Sequence, residues 1–253
     1  MTRNRLGFGL AIVLALGISE AGATEVVLPF EMSRDALCFR NGDPDLAKTG
    51  VPILGALGAE KGVCQGMAGI AAAFRENVEF VPAADVDSAY VVARNLDRAV
   101  SAYRAGSRRK IEIRGYRSLM DVCRANRMAF LKKAIWVNAD IGVTDIFFPH
   151  YGAFQRLKKD PIGSKSDALS LRRQLRDYLA DAVSELREGH YPLLLYFSHV
   201  VLVRGYRDVT GPSGRRIDLE VYDSNHPEAL RTISVAIAAD GLPAGENPMF
   251  WIL

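Results

Sequence analysis

The chain has 253 residues, 49% of them hydrophobic, with 32 Lys and Arg set against 29 Asp and Glu for a formal charge of +3. That length suffices for one well-buried core or for two lobes sharing one. The near-balance of charge excludes the strongly basic surface that nucleic acid selects, and Arg108-Arg109-Lys110 reads as a solvated turn before a strand.

The first residues carry a targeting pattern. Arg3 and Arg5 precede an uncharged run, Leu6 to Ile18, and Ala21-Gly22-Ala23 is a small-x-small cleavage site. Thirteen apolar residues are too few for a membrane span, which needs about 20. Residues 1–23 are therefore expected to be a secretory signal peptide and residues 24–253 the mature domain, periplasmic or secreted, with no stable membrane anchor. Removing Arg3, Arg5 and Glu20 leaves 30 basic and 28 acidic residues.

Val26 to Phe30 is a short β-like entry, and Arg40 to Lys61 reads as a loop with turn signals at Asn41-Gly42 and Asp43-Pro44. A helix is predicted from Cys64 to Glu76, with Met67, Ile70, Ala71 and Phe74 on one face. A second fits Asp85 to Ala105, capped by Asp85 or Asp87 and closed by Gly106, with Tyr90, Val91, Leu96, Val100 and Tyr103 inward. Ile111 to Ile113 is a short strand. A third helix covers Tyr116 to Ala134, with Leu119, Val122, Cys123, Met128 and Leu131 inward. Trp136 to Tyr151 has no clear period. Ser166 to Glu188 is the clearest helix, striped by Leu171, Leu175, Tyr178, Leu179, Val183 and Leu186 and ended by Gly189.

Beyond it the period becomes that of strands: Leu193–Phe197, His199–Tyr206, Ile217–Tyr222, Thr232–Ile237 and Met249–Leu253, with Gly211-Pro212-Ser213-Gly214 as a turn. Helices followed by an antiparallel sheet make an α+β fold, with a helical half over about 24–190 and a sheet half over about 191–253.

Cys64 would sit at a helix N-terminus, where unpaired N–H groups and the macrodipole favour a thiolate. An imidazole beside it can take the thiol proton and return it to a leaving group. His199 opens a strand and is preferred over His150, His190 and His226. The strands 199–206 and 217–222 pair antiparallel through their turn, so the end of the second returns to the start of the first. That places Asp223, or alternatively Asn225, beside His199 to orient it. Cys38 and Cys123 either bridge each other in an oxidising compartment or are buried and reduced.

Three segments carry a family resemblance: Gly62-Val63-Cys64-Gln65-Gly66-Met67-Ala68, then Ser198-His199-Val200-Val201-Leu202-Val203-Arg204-Gly205-Tyr206, then Val221-Tyr222-Asp223-Ser224-Asn225. They resemble the papain-like cysteine peptidase superfamily, and within it the bacteriocin-leader-processing peptidases and their exported bacterial relatives. His199 and Asp223 follow Cys64 by 135 and 159 residues, near the roughly 130–150 of papain-type enzymes. The resemblance implies a papain-like fold, Cys64 as nucleophile, His199 as general base, Asp223 as orienter, and a peptide or protein substrate. It implies no cofactor. No C-x-x-C or H-x-x-x-H spacing offers a metal site.

Two departures stand out. Gln65 follows the cysteine where papain has an aromatic residue, and no glutamine precedes Cys64 between Gly55 and Val63 to supply an oxyanion amide. Asn41 and Gln65 are the side-chain candidates for that donor. Two other functions fit the same residues. One is a papain-fold binding protein without turnover. The other is a redox protein pairing Cys64 with Cys38 or Cys123.

Overall fold

Gly66, Ala68, Gly69, Ala71, Ala72 and Ala73 lie close behind Cys64, and their small size decides how neighbouring elements close on this segment. The computed structural model describes residues 25–51, 63–144, 165–196, 199–212, 214–244 and 250–252. The expected signal segment, Gly62, His150 and Ser198 lie outside the described residues.

The described elements run in the order β1 (Glu25–Val27), α1 (Met32–Asp35), a 3₁₀ turn (Pro44–Thr49), α2 (Cys64–Asn77), β2 (Val78–Val81), α3 (Ala89–Arg104), β3 (Ile111–Arg114), α4 (Leu119–Ala125), α5 (Arg127–Thr144), α6 (Lys165–Arg187), β4 (Leu193–Tyr196), β5 (His199–Gly211), β6 (Gly214–Tyr222), β7 (Arg231–Ile237) and β8 (Phe250–Ile252). This is an α+β architecture with an antiparallel sheet ordered β7-β6-β5-β4-β8, and β1 pairs with the far half of β5.

Residues alternate across the sheet with the period of two that a pleat requires. Val200, Leu202 and Tyr222 join the core built around α2. Val201, Val203, Leu219 and Val221 pack with Leu175, Leu179 and Leu186 of α6. Both faces of the central strands are thus covered.

The expected face of α2 is buried, and so are Gly66, Ala68, Gly69, Ala72 and Ala73, so the helix has almost no solvent side. α3, α5 and β5 surround it. Its small residues let those neighbours close in: a Cβ at Gly66 would lie 1.9 Å from the carbonyl oxygen of Ala134 on α5.

Several expectations are corrected. α3 begins four residues later than predicted and is capped by Ser88, whose hydroxyl accepts the Val91 N–H. The Asp87 carboxylate instead accepts the Arg114 N–H at 2.9 Å. Tyr90 is 76% exposed, because the inward face is set by Val92, Asn95, Leu96, Ala99 and Val100. The single helix expected over 116–134 is two. Asn126 breaks it, donating its N–H to the carbonyls of Val122 and Cys123 and its side-chain amide to Tyr116. The break resets the helical phase and turns Met128 outward, at 41% exposure.

β2 was unforeseen: four residues directly after α2 pair in parallel with β3, joined through α3. Buried Asn77 holds the approach to β3 by donating to the carbonyls of Ser107 and Arg109.

Cys38 and Cys123 form a disulfide, with Cα atoms 5.7 Å apart, and tie the segment after α1 to α4. Cys64 is the free thiol. Closing a loop over a sequence separation of 85 contributes on the order of 4 kcal/mol in the chain-entropy account. Intact-mass analysis after alkylation without reduction should find one labelled thiol, at Cys64; three labelled thiols would show that the bridge does not form.

The two glycines of α2 should respond in opposite directions. Gly66→Ala meets backbone on α5 and should lower stability by about 2 kcal/mol or more, as overpacking against an unyielding wall does. A Cβ at Gly69 would meet the side chains of Val137 and Leu193 at 3.4 and 3.9 Å, ordinary contact distances. Gly69→Ala should therefore be neutral or stabilising by up to about 1 kcal/mol, since Ala is the better helix former. Urea denaturation of both variants tests this contrast.

Candidate active site

Three chain segments meet where α2 begins. Cys64 is half-buried on the first turn. Met67 is the first residue whose N–H closes an intrahelical bond, to the carbonyl of Val63, so the N–H groups of Cys64, Gln65 and Gly66 are the helix's orphan donors. His199 is the first residue of β5, and Asp223 directly follows the last residue of β6. The pairing of Leu202 with Tyr222 sets the register that returns Asp223 to His199. Tyr222 fixes that strand end: it is 1% exposed, stacks on Phe30 at 5.2 Å and accepts the Leu37 N–H.

His199 Nε2 lies 2.6 Å from Asp223 Oδ1. The same carboxylate oxygen accepts the Asn225 N–H at 2.8 Å. With Nε2 occupied, Nδ1 is the ring nitrogen left for the thiol. The N–H of Val200, the peptide immediately after the histidine, donates to Cys64 Sγ at 3.3 Å.

Burial of the imidazole opposes its charge. The interactions with Asp223 and with Cys64 outweigh burial and raise its pKa from 6.5 to about 9. For Asp223, burial likewise opposes charge, but His199 and the Asn225 N–H prevail and hold the carboxyl below its ordinary 3.8.

Asn41 lies at this junction without touching the imidazole. Its Oδ1 accepts the Val63 N–H, its Nδ2 donates to Asn225 Oδ1 at 2.9 Å, and its own N–H donates to the Ser224 carbonyl at 3.0 Å. Asn225 meets Asp223 through its backbone, while Asp223 is the partner of the ring. Gln65 is 4% exposed, and its Nε2 has no hydrogen-bond partner among the described residues. No hydrogen bond among the described residues ties it to Cys64, His199 or Asp223.

Among the described residues, neither of the other two histidines bonds the thiol or the Asp223 carboxylate through its ring, although His226 donates its backbone N–H to the Asp223 carbonyl at 2.9 Å. His190 pairs with Glu76 at 2.7 Å, at the opposite end of α2, and exposed His226 lies 3.5 Å from Glu228.

Two features escaped sequence reasoning. The Val200 N–H on the sulfur is a backbone group and leaves no residue-type signal. Asn41 was legible as a turn residue and a candidate oxyanion donor, but its tie between Val63 and Asn225 was not, because those partners lie 22 and 184 positions away. No protein-family model matches the chain, and no curated protein or solved structure matches it either.

The two pKa directions define a pH window. A raised histidine pKa contributes stability in full below 6.5 and loses it as pH rises through about 9. A lowered aspartate pKa contributes in full above 3.8 and loses it as pH falls through the lowered value. The stability gap between the native chain and Asp223→Asn should therefore be widest between 3.8 and 6.5 and should narrow beyond about 9. Denaturant titrations across pH check this; a gap that is flat with pH would show that the pair is not charged.

Proposed function

We propose that the chain is an exported cysteine peptidase, or a related thiol acyl hydrolase, of the papain-like superfamily, acting on a peptide or protein. The observation that carries this reading is one imidazole held on Asp223 and raised in pKa by both that carboxylate and Cys64, beside the first turn of a buried helix.

In this mechanism Cys64 Sγ attacks the scissile carbonyl carbon while His199 holds the thiol's proton. The orphan N–H groups of the first turn of α2 stabilise the oxyanion. The imidazolium passes its proton to the leaving amine, and the C–N bond breaks to leave a thioester on Cys64. Water then attacks the thioester, losing a proton to His199, and the carboxylic acid product departs as the thiol is restored. Asp223 fixes the ring's tautomer and balances its charge without making bonds.

One observation favours a second reading, a papain-fold binding protein without turnover. The carboxamide of Asn41 is engaged at both its ends and that of Gln65 is buried, so neither is presented as an oxyanion donor. Losing such a donor costs about 10²–10³ in turnover.

Assays on unstructured polypeptide substrates separate the readings. Cys64→Ala and His199→Ala should abolish hydrolysis, while Asp223→Ala should leave a residual rate, down by as much as about 10⁴. The basic limb of kcat/KM should fall at about 9, where His199 loses the proton it must donate. Rapid alkylation of Cys64 at mildly acidic pH that is lost in His199→Ala supports the enzyme. Ordinary thiol reactivity with no hydrolysis supports the binder.

A further inference from the structure

We propose that Asn41 is a positioning residue for the thiol–imidazole pair: its single carboxamide fastens the start of the Cys64 helix to the turn that carries Asp223. The proposal rests on the functional reading above only for its consequence in turnover.

The hydrogen bonds of Asn41 all run to neighbours of the candidate machinery. Oδ1 takes the N–H of Val63, the residue before Cys64. Nδ2 reaches Asn225 Oδ1, and the backbone N–H reaches the Ser224 carbonyl. Asn225 in turn donates its N–H to the carboxylate oxygen that His199 also binds. A continuous chain of hydrogen bonds therefore runs from the α2 N-terminus to the imidazole by a route that avoids the sulfur. α2 and β6 belong to different halves of the fold, and Asn41 bonds the residue that precedes α2 and the turn that follows β6.

The chemistry asks for an amide. One group must accept from a helix-terminal N–H and donate to a carbonyl-type oxygen in the opposite direction. An ionised Asp only accepts, and Ala does neither.

Asn41 is also held firmly on its own side. It lies in the tight turn Arg40–Asp43, closed by the Asp43 N–H on the Arg40 carbonyl, with Gly42 at φ 72°. Three residues before it, Cys38 is bridged to α4. Two residues after it, Asp43 pairs with Arg127 at 2.6 Å, and the same guanidinium binds Asp45 and the Cys38 carbonyl and covers the ring of Phe39. A turn pinned on both flanks can act as a fixed post against which the Asp223 turn is set.

The test is the titration of His199, followed by NMR of the imidazole in the full mature chain, for Asn41→Ala, Asn225→Ala and the double variant. Each single change removes the side-chain tie between Asn41 and the Asp223 turn and should lower the proton affinity of His199 by about tenfold, with the double variant falling no further than Asn41→Ala, which already removes the one side-chain bond that Asn225→Ala removes. Asn225 is exposed, so Asn225→Ala carries the test if Asn41→Ala does not fold. A titration unchanged in Asn225→Ala, or variants that lose thermal stability at an unchanged titration, would overturn the proposal and leave Asn41 a simple loop tether. Additive single effects would overturn it too. Because the readout is the ring itself, a chain that cleaves no substrate yet shows the coupled shift would sink the peptidase reading while leaving the positioning role intact.

Discussion

A helix with almost no solvent face must be walled in by neighbours, and α2 leaves room for them with the glycines and alanines between Gly66 and Ala73. The carbonyl of Ala134 occupies the space where a side chain at Gly66 would lie. α5 and β5 can then approach closely enough to bury Met67, Ile70 and Phe74 together with Val200 and Leu202 in one core. Protein interiors are packed like molecular crystals, so such a helix has little freedom to shift. Cys64 sits on its first turn and inherits that rigidity, and so does the distance from the thiol to the strand beside it.

The candidate site lies on the seam between the helical half and the sheet half. A seam is where relative movement of the two halves would do most damage, and the segment before α2 is fixed on one side to the helices and on the other to the sheet. The disulfide joins the segment after α1 to α4, and Arg127 gathers Asp43, Asp45 and the Cys38 carbonyl at the start of α5. Tyr222 anchors the end of β6 against Phe30 and Leu37, both from the N-terminal segment. These ties make the chain before α2 the mortar between the halves.

Electrostatically, the site opposes burial to pairing. A half-sheltered imidazole should resist its charge, yet His199 is raised because a carboxylate and a thiol both act on it. Asp223 shows the mirror case, with two hydrogen bonds to one oxygen outweighing its own desolvation. Another histidine–carboxylate pair, His190 with Glu76, has a similar distance, and among the described residues no free cysteine lies beside it. There Glu76 also accepts the Tyr191 N–H and fixes the approach to β4. Among the described residues the pair geometry is common to both, and the cysteine sulfur bonded by the adjoining peptide belongs to His199 alone.

Local pattern was enough to determine much of this protein. The period of α6, the start of α2 at Cys64, the alternation of β5 and β6, and the hairpin return that sets Asp223 beside His199 are all short-range facts, because helical and strand periods and turn geometry are written in neighbouring residues. What needed tertiary structure were the features whose partners are distant in sequence. The inward face of α3, the outward turn of Met128 after Asn126, the parallel pairing of β2 with β3, and whether Cys38 and Cys123 come close enough to bridge depend on how whole elements pack. The roles of Asn41 and of the Val200 N–H are of the same kind. A side-chain amide or a backbone donor has many possible partners, and only the closing of α2 against the sheet decides which one lies within hydrogen-bonding distance.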